Sequence, residues 1–128
     1  MFFFLFISIS ALANTLAAPF GDEEIQVKHL ACMQESGATE EMMRKAFQGE
    51  FPDASEFKKH LVCMGKKGGV IDSDGNYDRV VLKEKLLRLV RDEELVDELL
   101  EKCLVDQATP EETAFEMVKC SYRKVQGE

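Results

Sequence analysis

The stretch DASEFKKHLVCMGKKGGVID, Asp53 to Asp72, is written for one short helix with a definite stop. Asp53 followed three residues later by Glu56 is a capping-box spacing, in which each side chain satisfies a backbone donor of the first turn. Phe57, Leu61, Cys63 and Met64 then recur on one broad apolar face. Gly68-Gly69 ends the helix, because glycine reaches the left-handed region that a helix C-terminus uses. Val70-Ile71 beyond it is too short for a helix and reads as an apolar plug.

Working outward, the same grammar repeats. Upstream, Asp22-Glu23-Glu24 puts acidic residues in a first turn, Ile25, His29, Cys32 and Met33 follow at helical spacing, and Gly37 closes the segment. Thr39 caps a short helix through Met42, Met43, Ala46 and Phe47, and Gly49 and Pro52 break it. Downstream, Asp72-Ser73-Asp74-Gly75 is a turn. A helix from Asn76 to about Val90 then carries Val81, Leu82, Leu86, Leu89 and Val90. Asp92-Glu93-Glu94 restarts a helix with Leu95, Val96, Leu99, Leu100 and Cys103. Thr109-Pro110-Glu111-Glu112 combines a Thr cap, proline in the first turn and a capping-box glutamate, and Phe115, Val118 and Tyr122 follow on one line. No stretch alternates long enough for a strand. The fold class is all-α, a compact bundle of about six short helices.

The amino-terminal run MFFFLFISISALA is apolar and uncharged in its side chains. As a helix it would be roughly 20 Å long, short of the ~30 Å hydrocarbon core. Small residues follow, and the first charged side chain is Asp22. Residues 1–18 read as a cleavable secretion signal, cut after Ala13, Ala17 or Ala18. Residues 19–128 then form one domain of about 110 residues, with no membrane insertion once the signal is removed. The formal charge of −8 falls entirely on that domain. It repels phosphate backbones and anionic headgroups, so nucleic acid is not a partner.

All four cysteines lie in the exported part, so two disulfides are expected. Four cysteines allow three pairings, and sequence alone does not choose among them. Helix order favours Cys103–Cys120, across two helices returning antiparallel, with Cys32–Cys63 tying the first helix to the third. No chemistry competes. Asp72-Ser73-Asp74-Gly75-Asn76 opens like a calcium loop, but Tyr77 and Lys83 stand where glycine and a bidentate glutamate are required. His29 and His60 lack a zinc spacing, and bridged cysteines offer no thiolate. There is no Gly-x-Ser-x-Gly and no phosphate loop. Catalytic residues, metal and cofactors are therefore expected to be none, and the chain is expected not to be an enzyme.

The cysteine spacing resembles that of the insect odorant-binding proteins (pheromone and general odorant-binding), in their reduced four-cysteine form. The usual family has six cysteines, with three residues between the second and third, about forty between the third and fourth, and eight between the fifth and sixth. Cys32, Cys63, Cys103 and Cys120 stand in the first, third, fourth and sixth places. Lys59 and Glu111 occupy the second and fifth, which pair with each other in the family, so one whole disulfide is absent and no thiol is stranded. The span from Cys103 to Glu111 is one residue shorter than usual. The resemblance covers essentially all of the exported chain and includes Cys63-Met64-Gly65-Lys66-Lys67-Gly68-Gly69-Val70-Ile71-Asp72.

The resemblance implies a helical bundle around an enclosed apolar cavity. It also implies an extracellular carrier of odorants, pheromones or other small lipophiles, in sensillum lymph or haemolymph, with a chemosensory receptor as a further partner and a monomeric or weakly dimeric state. A non-olfactory carrier in a gland secretion, and a secreted interaction protein with a filled core, are the alternatives. The generous methionine and phenylalanine content suits a pocket that repacks around its ligand. The candidate lining is Met33, Met43, Phe47, Leu61, Met64, Leu82, Leu86, Leu89, Leu99, Phe115, Val118 and Tyr122, with the hydroxyls of Tyr122 and Tyr77 for a ligand's polar atom. Three further expectations follow: an ion pair between Lys59 and Glu111, a small pH response through His29 and His60, and Ser121–Glu128 as a short flap over the pocket mouth. Without the middle disulfide, the third and sixth helices should be joined only through packing.

Overall fold

The structure is a computed structural model that describes residues 23–127. The proposed signal, residues 1–18, lies outside the described residues. Six helices follow in order: α1 Glu23–Ser36, α2 Glu40–Phe47, α3 Ser55–Lys67, α4 Arg79–Val90, α5 Glu93–Lys102 and α6 Pro110–Val125. Among the described residues there is no strand, only an isolated antiparallel bridge between Ile71 and Tyr77. The chain divides between Ala31 and Cys32. The described residues before the division, 23–31, belong to α1 and carry an i,i+4 pair, Lys28 to Glu24 at 3.0 Å. Everything below concerns residues 32–127.

Most helix ends are set by the expected residues. Thr39, Asp92 and Thr109 each accept a first-turn backbone N–H, at 3.1–3.2 Å. Gly69 takes φ +77° just past α3. Two starts differ from expectation. Asp53 does not cap α3: the cap position is Ala54, with no side-chain bond, and the Asp53 carboxylate pairs with Lys58 Nζ at 2.7 Å. An ammonium is a stronger partner for a carboxylate than a neutral amide. Likewise α4 begins at Arg79, not Asn76, with Asp78 accepting from Val80 and Val81 N–H. The backbone before it is occupied elsewhere, because Tyr77 bridges to Ile71 and Asp78 N donates to Val70 O at 2.7 Å.

Both disulfides form as expected, Cys32–Cys63 and Cys103–Cys120, closing separations of 31 and 17 residues. In the loop-entropy description they contribute about 3–4 kcal/mol each. Cys32 lies near the C-terminal end of α1, so the first bridge joins that end to α3.

Among the described residues the core has three apolar clusters, and α6 enters all of them. Met117 joins Val96, Leu99, Leu100, Cys103 and Leu104 of the α5 side. Phe115 joins Ala38, Met43 and Phe57, and Ala114 joins Val62, Val70 and Ile71. The largest helix–helix contact is α3 against α6. That contact is not apolar packing alone. Lys58 Nζ, on a side chain only 14% exposed, bonds Glu112 of α6 at 2.7 Å as well as Asp53, and sits 4.6 Å from the centroid of the Phe115 ring. Helix α6 itself runs through Ser121 to Val125, so these residues are its last turn rather than a flap.

Candidate functional site

Helix α3 separates two hollows of opposite character. One is an apolar pocket of about 240 Å³, open to solvent rather than the enclosed cavity that the resemblance implies, between α3, α4, α6 and the loop after α3. Its walls are Leu61, Met64 and Gly65 of α3, Val70 and Ile71, Tyr77, Leu82 of α4, and Ala114, Met117 and Val118 of α6. Gly65 lets the loop approach: a Cβ there would lie 2.6 Å from Ile71 Cδ1. The backbone locks the approach, since Gly65 O accepts from Val70 N at 2.8 Å and Ile71 N at 3.1 Å. Val70 and Ile71 are both buried as a result. Met64 and Met117 supply unbranched, adjustable walls.

Tyr77 brings the one polar side chain to this lining, and its hydroxyl donates to Pro110 O at 2.9 Å. Burial, with the nearby Glu111 and Asp106 carboxylates, pushes its pKa up to about 12, so it stays a neutral donor at physiological pH. No carboxylate, histidine or ammonium faces the pocket, and the lining therefore holds no acid–base pair for bond chemistry. What this arrangement can do is remove apolar surface from water.

The other hollow, of about 330 Å³, lies on the opposite face of α3 and is lined by Glu35, Lys59, Val62, Cys63, Lys66, Lys67 and Glu111. It contains Lys59 and Glu111, the positions where the resemblance puts the second and fifth cysteines. The expected ion pair between them does not form within 4 Å. The ion pair that α3 makes with α6 is instead Lys58 to Glu112 at 2.7 Å, one residue away on each helix. Lys67 instead pairs with Glu35 at 3.3 Å. The second Glu35 oxygen lies 3.0 Å from Cys63 Sγ. That sulfur carries no hydrogen, so this is a contact and not a hydrogen bond. Cys32, Glu35 and Cys63 cluster closely enough to suggest metal ligands, but both sulfurs are spent on each other and neither is a thiolate.

Of the expected lining residues, Leu61, Met64, Leu82 and Val118 come together at the apolar pocket. Met33, Met43 and Phe115 belong to the cluster around Phe57, and Leu99 (1% exposed) and Leu86 belong to the α5-side core. Tyr122 stands edge-on to Phe51 at 5.6 Å. Phe47 and Leu89 are exposed, at 86% and 81%. In α4 the packed arc is Leu82, Leu86, Leu87 and Val90. At 100° per residue, Leu89 falls at its margin in the last turn. His60 is buried, at 4% exposure. The lining residues that sequence reasoning missed are Gly65, Val70, Ile71, Ala114 and Met117. Val70-Ile71 was visible as a plug, but nothing marked where the plug would seat.

The PBP/GOBP family model matches residues 21–124. The chain belongs to the PBP/GOBP family. Within it, this is a four-cysteine, two-disulfide member. It is 39% identical to the B2 protein of Tenebrio molitor over 89 residues, 70% of each chain. Among solved structures it is similar to the THP12 carrier protein from yellow meal worm, with TM-score 0.60 and 34% identity over 70% of this chain and 83% of that one. It is also similar to Odorant Binding Protein 7 from Anopheles gambiae, a protein with four disulfide bridges in complex with an azo compound. There the TM-score is 0.61 and the identity 31%, over 78% of this chain and 81% of the other. The all-helical fold is thus that of a PBP/GOBP protein.

Proposed function

We infer that this PBP/GOBP protein is a secreted carrier that holds one small apolar molecule in the pocket walled by Leu61, Met64, Val70, Ile71, Leu82 and Met117. The observation that carries the reading is the lining itself: ten residues' worth of wall with a single polar side chain, Tyr77. The solved relatives support it, one being described as a carrier and another binding an azo compound. A volume near 240 Å³ lies below the ~300–1,000 Å³ of sites for drug-sized molecules, so the ligand is small. Removing about 200 Å² of its apolar surface from water would contribute roughly 5 kcal/mol before the costs of association. The work is binding and release rather than catalysis.

Secretion follows from residues 1–18 acting as a cleaved signal, with 19–128 as the mature domain. Among the described residues no helix is long and apolar enough to cross a membrane. The mature protein is then a monomer or weak dimer in extracellular fluid, sensillum lymph or haemolymph, delivering its ligand to a chemosensory receptor or a tissue. The test is titration of the disulfide-intact mature protein with an apolar fluorescent probe, because the chain has no tryptophan to report. Saturable one-to-one uptake, displaced by short alcohols or esters, is the expected result. No saturable uptake would overturn the reading in favour of an interaction protein with a filled core.

A further inference from the structure

Tyr77 stands between the apolar pocket and a polar cleft of about 430 Å³ on its far side. The cleft lies between the 74–79 segment and the 104–113 segment, and among its walls are Asp74, Asn76, Arg79, Asp106, Gln107 and Thr113. Of all the residues lining the two hollows, Tyr77 alone belongs to both. Its backbone is pinned. Ile71 bridges to it, Asp78 N is bonded to Val70 O, and Gly75 lies so near Pro110 that a Cβ would come within 2.6 Å of its Cγ. The side chain is held by the hydroxyl bond to Pro110 O, a neutral hydrogen bond that a ligand hydroxyl or water can replace.

The cleft also has a definite electrical character. Arg79 is its only cation, and its guanidinium is turned to the end of α5, donating to Leu100 O at 2.9 Å and Leu104 O at 3.1 Å. The Gln107 side-chain amide donates to Val105 O at 3.2 Å. With the two exposed carboxylates of Asp74 and Asp106 against that one guanidinium, the lining keeps a net negative charge. The negative potential reaches Tyr77 itself, where Asp106 adds to burial and Glu111 in raising the phenol's pKa.

We propose that the two hollows are one binding site for a straight-chain amphiphile, with its chain in the apolar pocket, Tyr77 as the movable partition, and in the polar cleft a head that is an amine or alcohol rather than a carboxylate. The proposal rests on the carrier reading and names the ligand class for it. The test is probe displacement from the disulfide-intact protein at neutral pH by dodecylamine, 1-dodecanol and dodecanoate, with 1-hexanol as a ligand that needs only the apolar pocket.

Dodecylamine and dodecanol should displace the probe at concentrations about tenfold lower than dodecanoate, which would meet a lining of net negative charge whose one guanidinium is already bonded to Leu100 O and Leu104 O. Asp106→Asn, at an exposed position, should narrow the amine–carboxylate gap severalfold, while Glu40→Gln, the same charge change on α2, should leave it. Tyr77→Phe keeps the ring but loses the hold on Pro110. It should bind dodecanol about threefold more tightly or faster, with hexanol unchanged. Dodecanoate competing as well as dodecylamine would overturn the proposal, as would equal shifts for hexanol and dodecanol in Tyr77→Phe. Should hexanol displace the probe without any head preference, this inference alone fails. Should nothing bind, the carrier reading fails with it.

Discussion

Helix α6 is fastened on two sides by different means. Toward α5 it is fastened covalently, by Cys103–Cys120. Toward α3 it is fastened by an ammonium shared between two carboxylates and an aromatic face: Lys58 on Asp53, Glu112 and Phe115. The apolar pocket takes Ala114, Met117 and Val118 from the stretch of α6 that lies between the two fastenings. A disulfide acts on the unfolded chain and leaves the folded joint without an alternative, whereas an ionic joint can open and reclose with the pocket it borders. The difference teaches that one helix can be held by two kinds of joint, a covalent one toward α5 and an ionic and aromatic one toward α3 through positions 58 and 112.

The comparison can be broken from either side. Phe115→Ala should have the largest effect, about 3–5 kcal/mol in urea unfolding. It removes a side chain 4% exposed that meets Phe57 edge-on at 6.3 Å and carries both Lys58 and Lys119 over its ring. Replacing Cys103 and Cys120 together by serine should cost about 3 kcal/mol, the loop entropy of the 17-residue closure. A melting temperature unchanged by that pair would mean that α5 and α6 are held by packing alone. Gly65→Ala should cost only about 1 kcal/mol, since the atoms in its way are the flexible end of Ile71. Its larger consequence should be weaker uptake of the fluorescent probe, as Ile71 is pushed toward the pocket.

Lys58→Met should lower the melting temperature less than loss of the disulfide, and the deficit should shrink at high salt. The same variant sharpens the comparison through pH. Hydrogen bonding and charge from Lys58 hold the Asp53 carboxyl below the usual carboxylate range, and Asp53 and Glu112 in turn raise Lys58. A depressed carboxylate contributes stability above its unfolded pKa and loses it as pH falls through the folded one. A raised lysine contributes below its unfolded pKa and loses it as pH rises through the folded one. The difference between wild type and Lys58→Met should therefore be flat from about pH 5 to 9 and fade below about pH 4. A difference that changes across pH 6–7 would assign the joint to some other titrating group.

Much of the frame was legible because it depends on neighbours in the chain. The caps at Thr39, Asp92 and Thr109, the glycine stop after α3 and the pairing of the cysteines all follow from residues a few positions apart or from helix order. The candidate site was less legible. Phe47 and Leu89 have the chemistry of pocket residues but stand in solvent, whereas Ala114 and Gly65, too small to signal anything in a sequence, are what make the room. Lys59 and Glu111 were the pair that spacing suggested. Which of two adjacent lysines reaches a carboxylate of α6 depends on the rotation of α3 about its own axis, a quantity that periodicity defines only to within a residue.

By itself, then, the sequence determined an all-helical chain, most of its stops and caps and an even set of cysteines, because hydrogen-bond capping acts over short distances, while helix order favoured the pairing that forms. Only the tertiary structure decided that α6 is the hub of three clusters, that Val70-Ile71 closes over Gly65, and that Tyr77 divides an apolar pocket from a polar cleft. Those features exist where surfaces far apart in the chain fit together. Such a fit is settled by the shape and rotation of whole helices, which no single stretch of residues encodes.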